Sequence, residues 1–322
     1  MKKVGILRGG AWGNYGNSLQ DGADLISYVN ENLADKYTTV DIFVDRKGIW
    51  HINGLPVLPH DIVHKVDVAW NVSHPSLSQI LNNFSIPNIS VPAFSSSLKE
   101  SRAMLREHIA NAGVTMPQHF IIPAYQADFD GPVEKFATKK AKEIFEKFGS
   151  PWIVKSLTED VSMGPVRGRE SSQRVSTSNG MGVHVANTFP ELVNALIDLT
   201  AQAGGAEHGG SILVEELIAG REGVMHSLSG FRGEDVYTFP LSNFSEAEKE
   251  KLTLLSKNLH THLGDNHYLK SHFILTPNRG IYITNIDFIP DFGSNSHFCK
   301  SCDSVGAKAP DVFEHILNKA FL

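Results

Sequence analysis

The chain has 322 residues, 41% of them hydrophobic and 20% charged, enough to bury the cores of one to three domains. A formal net charge of -6 without a basic block argues against nucleic acid or a membrane surface as partner. Two cysteines exclude a disulfide scaffold, no apolar run reaches the length of a membrane span, and Arg8 follows the opening apolar residues too soon for a signal peptide, so a cytoplasmic protein is expected.

Val4–Leu7 reads as a short buried strand running into Gly9-Gly10, and Leu19, Ala23, Ile26, Val29 and Leu33 then recur at helical spacing. Val40–Val44 is the next strand, Gly48 to Gly54 a hairpin, Val66–Val72 a third strand, and Leu77, Ile80, Leu81 and Phe84 mark a short helix. Strands alternating with helices predict a mostly parallel sheet covered on both faces, ending near Ser97. A helix over Leu98–Ala112 stops at Gly113, with Pro117 soon after. A second helix carries Val133, Ala137, Ala141, Phe145 and Phe148 and feeds the strand Trp152–Lys155. From Val161 to Gly182 the chain is rich in Ser, Gly and Arg without periodicity, which predicts a long mobile loop. Thr188–Glu191 and Ser245–Glu248 are capping boxes, each opening a helix. Strands are expected at Ile212–Glu216, His272–Leu275 and Ile281–Ile286, and the region after Leu98 reads as a separate α+β unit.

Three segments suggest chemistry. Lys155 leaves an apolar strand into a small-residue loop that includes Ser162 and Gly164, an arrangement that can neutralise and cover phosphates; a strand-end lysine beside a surface turn is the plain alternative. The strand Ile212–Glu216 runs into Leu217, Ile218 and Glu222, which suits a hinge whose backbone reads a base edge while Glu222 takes ribose hydroxyls; an edge strand with a solvated end is the alternative. Asn285 and Asp287 alternate with apolar residues and share one strand face, two oxygen ligands for a hard cation or simply a solvent face. Cys299 and Cys302 form a lone CxxC, incidental or structural unless metal or redox chemistry recruits it.

In chain order these segments resemble the D-alanine–D-alanine ligase family of the ATP-grasp superfamily over nearly the whole chain. The Gly9-Gly10 turn with Ser18, Leu19 and Gly22 resembles the family opening, and the run from Ile86-Pro87 to Met116-Pro117 its entry into the ATP-grasp domain. Trp152–Gly164 resembles "VIVKPxxEGSSVG", Val214–Glu222 the hinge, and Asn285–Ser296 "ExNxxPGMTxxS". The resemblance implies an α/β chain. Its N-terminal parallel-sheet (pre-ATP-grasp) domain would span 1–97. A two-lobed α+β ATP-grasp domain would follow, with a central lobe at 98–210, a C-terminal lobe at 211–322, and nucleotide held between the lobes.

The same resemblance implies ATP and Mg²⁺ or Mn²⁺ as cofactors, an amino acid substrate such as D-alanine, a role in peptidoglycan precursor synthesis, and a homodimer as the assembly. Arg102 and Lys155 stand at the phosphate cations, Ser162 and Gly164 in the covering loop, Glu215, Glu216, Leu217 and Ile218 in the hinge, and Glu222 at the ribose. His272, Asn285 and Asp287 occupy the metal positions, and Lys270 that of the arginine that stabilises the developing oxyanion. Ser296 keeps the final serine of its motif, and Asn14 takes the place of the glutamate that receives the first substrate's ammonium. The departures gather at the chemistry. Val161 replaces a substrate-site serine, a substrate loop is cut to Asn71–Pro75, a closing loop is missing between Tyr237 and Phe244, and the three metal positions offer one carboxylate. The expected activity is therefore an acyl-phosphate ligase with altered or weakened use of D-alanine, with a non-catalytic nucleotide- or partner-binding protein as the competing expectation.

Overall fold

The computed structural model describes residues 1–11, 15–156, 175–176, 182–203, 210–241, 243–264, 267–293 and 296–321. The elements in chain order begin with β1 (Lys2–Gly9), α1 (Tyr15–Asn32), β2 (Tyr37–Val44), β3 (Trp50–Ile52), β4 (Leu55–Val57), β5 (Val68–Asn71), α2 (Pro75–Asn83), β6 (Asn88–Ser90), α3 (Ala93–Glu100) and α4 (Arg102–Ala110). Next come β7 (His119–Ile122), α5 (Ala127–Asp130), α6 (Val133–Lys147), β8 (Trp152–Ser156), β9 (Val175–Ser176), β10 (Gly182–Ala186), α7 (Phe189–Ala203) and β11 (Ile212–Glu216). The chain ends with β12 (Arg221–Ser229), β13 (Val236–Thr238), α8 (Glu246–His262), β14 (Tyr268–Thr276), β15 (Gly280–Asp287), α9 (His297–Ser304) and α10 (Ala309–Asn318). Apart from β9 and Gly182, the expected loop from Val161 to Gly182 lies outside the described residues.

The chain divides into two compact units. The first comprises Met1–Thr115, Gly223–Phe273 and Ile283–Leu322; the second comprises Met116–Glu222 and Ile274–Tyr282. The first unit contains a six-stranded sheet in the order β4-β3-β2-β1-β5-β6. Its β2-β1-β5-β6 portion is parallel, and the hairpin β3-β4 adds two antiparallel strands at one edge. Alternation along β1 decides the layers. Val4 and Ile6 join Leu25 and Val29 of α1 in one core, and Leu7 joins Ile42, Leu77 and Leu81 in the other. The first core extends through Trp70, Phe292 and Phe313 to Tyr268, Phe298 and Cys302, so α9 and α10 are packed into the same interior as the sheet.

The turn after β1 explains its glycines. Gly9 has φ +87°, and a Cβ there would lie 2.2 Å from the Val44 carbonyl oxygen. Ser18 Oγ accepts from Gly9 N–H at 2.9 Å, and a Cβ on Gly22 would meet the stem of Arg8, which forms a two-pronged pair with Asp41. The helix expected over Leu98–Ala112 is instead two helices that meet at Ser101. Ser101 is extended (φ -110°, ψ 98°) and its side chain accepts from Met104 N–H, so a local cap competes with helical continuation.

The second unit is built on the antiparallel sheet β7-β11-β8-β10-β9. One face packs Trp152, Val154, Ile212, Val214 and Ala186 against Phe136, Ala141 and Ile144 of α6 and Leu192, Leu196 and Leu199 of α7. A four-stranded sheet, β13-β12-β14-β15, carries the later strands. Among the described residues no helix is long and apolar enough to cross a membrane.

Candidate nucleotide and ligase sites

In the second unit, Lys155 pairs in register with Leu213, so Lys155 and Glu215 project from the sheet face opposite the helix-packed core. Lys155 Nζ donates to Glu215 Oε2 at 2.8 Å, with the lysine side chain 16% and the carboxylate 6% exposed. An ion pair this far from solvent persists only with good geometry, and it holds a cation against a strand end. At the next residues β11 stops and the hinge begins. The N–H groups of Glu216 and Leu217 donate to the carbonyls of Gln118 and Pro151 at 2.9 Å each. Glu216 itself is clamped by Arg279, 2.6 Å from Nη1 to Oε1. Ile218 is buried in a small cluster with Ile274 and Tyr282. Gly220 is needed because a Cβ there would lie 2.5 Å from the Leu275 carbonyl. Glu222 stays at the surface, with desolvation raising its carboxyl above the ordinary range.

In the first unit, β14 and β15 carry Lys270, His272, Asn285 and Asp287. Asn285 and Asp287 are half-buried on the same strand face, and Asp287 Oδ1 accepts from Phe288 N–H at 2.8 Å. Among the described residues His272 Nε2 is buried without a hydrogen-bond partner, and desolvation, aided by Lys270, lowers the imidazole to about 4. It is a neutral nitrogen donor. Among the described residues no group of three His, Cys, Asp or Glu side chains is arranged to hold a metal ion. The donors present offer one carboxylate, one amide and one imidazole. That set does not fit a protein-held magnesium, which prefers oxygen ligands and charge.

Ser296 caps α9. Its Oγ accepts from Cys299 N–H at 3.1 Å and donates to the Asp291 carbonyl at 2.7 Å. The short loop after β5 is tied to its surroundings by side-chain hydrogen bonds. Asn71 Nδ2 donates to the His74 carbonyl and to Ser78, Asn71 Oδ1 accepts from Ser73 N–H, and Ser73 Oγ donates to the Gly9 carbonyl. Cys299 and Cys302 are free and buried on α9, and burial pushes the Cys302 thiol up to about 12. That environment suits inert core thiols and argues against the redox or metal alternative. Asn14, Val161, Ser162, Gly164 and the side chain of Arg102 lie outside the described residues.

Sequence reasoning missed a group on β12, β14 and α9. His226 is 1% exposed and bridges Tyr268 Oη and His297 Nδ1 at 2.7 Å each. Nothing in the spacing of these three residues signals their meeting, which depends on the order β12-β14 and on where α9 starts.

No protein-family model matches the sequence, and no curated protein matches it. Solved structures do. D-alanyl-alanine synthetase A from Vibrio cholerae is similar at 14% identity and TM-score 0.68, covering 99% of this chain and 98% of that one. The VanG D-Ala:D-Ser ligase from Enterococcus faecalis follows at 18% and 0.66, covering 99% and 98%. The D-alanine–D-alanine ligase from Bacillus anthracis complexed with ATP stands at 16% and 0.65, covering 100% and 97%. The chain thus has the α/β ATP-grasp fold of these ligases from end to end, as the sequence resemblance implied.

Proposed function

We propose, from the premise that the chain has the fold of the D-alanine–D-alanine ligases, that it is an ATP-dependent carboxylate–amine ligase. The observation that carries the reading is the sequestered Lys155–Glu215 pair at the strand ends beside the hinge and Glu222. It presents a fixed cation next to the hinge and a carboxylate suited to a ribose. A neighbour of the same fold is complexed with ATP, which supports nucleotide as the ligand class.

In the proposed reaction an oxygen of a substrate carboxylate attacks the γ-phosphorus of ATP. The bond to the β,γ-bridging oxygen breaks, and ADP leaves. An amine then attacks the acyl carbon of the acyl phosphate, the C–O bond to phosphate breaks, and the amine gives up its proton. Lys155 and Arg102 are assigned to phosphate charge and Lys270 to the tetrahedral oxyanion. Ser162 and Gly164 are assigned to covering the phosphates, Glu215, Glu216, Leu217 and Ile218 to the base, and Glu222 to the ribose. Asp287, with Asn285 and His272, is assigned to a cation that would neutralise phosphate charge, a site weak for Mg²⁺ because only one of the three is a carboxylate. The substrate is proposed to be a small amino acid. Asn14 in place of a carboxylate removes an ion pair for an ammonium, so D-alanine is proposed to be used poorly or with a different amine acceptor. Ser296 belongs to the same substrate end, and the domain limits 1–97, 98–210 and 211–322 are part of this reading. Cytoplasmic peptidoglycan precursor synthesis follows only if the substrate is D-alanine.

One observation favours a second reading, a nucleotide-binding protein without ligase activity: the polar side chains of Asn71 and Ser73 are already engaged by His74, Ser78 and Gly9. Calorimetric titration with ADP separates nucleotide binding from its absence, and amino-acid-stimulated ADP formation separates ligase from binder. Binding without stimulation by any amino acid would select the second reading.

A further inference from the structure

A hydrogen-bonded chain of three side chains in the first unit has no part in the reaction as written above. Tyr268 Oη lies 2.7 Å from His226 Nδ1, and His226 Nε2 lies 2.7 Å from His297 Nδ1. Tyr268 and His226 are each 1% exposed, whereas His297, the first residue of α9, is exposed. Among the described residues, the hydrogen bonds of the His297 ring run through Nδ1, the weaker one reaching Ser301 Oγ at 3.4 Å.

Two proton arrangements satisfy the two short bonds. In one, Tyr268 O–H donates to His226 Nδ1, His226 Nε2–H donates to His297 Nδ1, and the His297 proton sits on Nε2. In the other, every proton is reversed, and the Tyr268 hydroxyl hydrogen is left without an acceptor in a buried place, because among the described residues its one partner is His226. An unmade buried donor is the more expensive error, so the first arrangement holds. Ser301 does not disturb it, since its hydroxyl donates to the His297 carbonyl at 2.8 Å.

We propose that Tyr268 and His226 are positioning residues that lock His297 as a neutral imidazole with its proton on Nε2, a donor for an anionic oxygen of a substrate carboxylate or phosphate. The ligand's identity as a substrate of the ligation rests on the ligase reading; the lock does not. Burial lowers His226 well below the usual histidine range, and partial desolvation lowers His297, with the Lys270 ammonium acting in the same sense on both. Burial likewise keeps Tyr268 a phenol, well above its usual range, so it cannot readily surrender the proton that His297 would need to become an imidazolium through the chain. His297 is therefore a hydrogen-bond donor and not the base that takes the amine proton. The sites of Lys270 and the start of α9 supply positive potential on the same sheet and helix, which selects an anionic oxygen over a neutral one.

Long-range ¹H–¹⁵N spectra of the imidazoles of the full chain test this directly. The expected result is Nε2–H for both His226 and His297 between about pH 6 and 8, a window in which an ordinary histidine changes charge. Tyr268→Phe should convert both rings to mixed tautomers. If that variant does not fold, His226→Gln should release His297 alone. Titration with inorganic phosphate and, separately, acetate should shift the His297 Nε2 resonance in at least one arm, which identifies phosphate or carboxylate as the ligand. A His297 that carries its proton on Nδ1, titrates near pH 7, keeps its tautomer in both variants, or responds to neither anion would overturn the proposal. Failure of the ligase reading is read separately, as ADP formation that no amino acid stimulates, and leaves the spectra as predicted.

Discussion

Lys155 and Glu215 set each other's energetics. Removing one member of a buried pair leaves an uncompensated charge, which costs about 3–5 kcal/mol, so Glu215→Gln should lower the unfolding free energy by nearly that amount in denaturant titration. Lys155→Ala should weaken ADP roughly ten- to hundredfold, the loss of one charge-assisted contact. Equal ADP affinity in Lys155→Ala and the parent would misplace the phosphate cation. His226 makes a second prediction. Its folded affinity for protons lies well below the ordinary value, whereas the unfolded chain binds a proton as pH falls through about 6.5. The unfolded state then holds more protons, so stability rises with pH across that window. His272, lowered to about 4, acts in the same sense between about 4 and 6.5. Unfolding free energy should fall by up to about 1.4 kcal/mol per pH unit for each such group below about pH 6. His226→Gln should flatten that slope, and an unchanged slope contradicts the assignment. Lys155 was legible in the sequence because a charge ending an apolar strand is conspicuous. Its partner was not, because a diagonal pair across two strands depends on register, and neither was the Tyr268–His226–His297 chain, whose members are 29 or more residues apart in sequence and meet only where α9 packs on two strands.

Elements were legible where local chemistry decides them. β1 with its Gly9-Gly10 turn, and α8 with its Ser245–Glu248 capping box, lie where the sequence puts them, and both halves of that box are made. At α7 the cap stands at Thr188, and the Glu191 carboxylate also reaches one residue further back. Thr188 accepts from Glu191 N–H, and Glu191 accepts from Asn187 N–H. The break at Ser101 was hidden because the apolar periodicity runs through it while the cap depends on one side-chain geometry. Ser101→Ala and Ser245→Ala should each cost about 1 kcal/mol, the usual worth of a serine cap. Helical content should rise in Ser101→Ala if the two helices then join, and two caps without effect on thermal midpoint would contradict the local account. The strands β7, β12 and β13 and the helices α9 and α10 escaped the sequence reading. Their apolar residues serve a core shared with distant strands, so short runs such as Phe298 and Cys302 carry little periodicity of their own.

At the scale of the molecule, the chain leaves its first unit after Thr115 and returns at Gly223, then crosses again for the hairpin tip Ile274–Tyr282. Neither crossing is marked by a linker composition, which is why a linear reading of the sequence finds lobes but not this interleaving. A ligand that binds only the folded chain should raise its stability by about 2.7 kcal/mol at a hundredfold excess over Kd, and a thermal midpoint that ADP leaves unmoved would argue against nucleotide binding. The fold was legible end to end because its motifs occur in order; the chemistry was less so because the substitutions at Asn14, His272 and Asn285 fall at the substrate and metal positions. The most direct test incubates the protein with ATP, Mg²⁺ or Mn²⁺ and a panel of amino acids, D-alanine among them, each labelled with ¹⁸O in its carboxylate. The account predicts amino-acid-dependent ADP formation, a ligated product, and one ¹⁸O transferred into inorganic phosphate, with D-alanine a poor substrate. ATP that is bound but released as ADP at the same rate with every amino acid, with no ¹⁸O in phosphate, would contradict it.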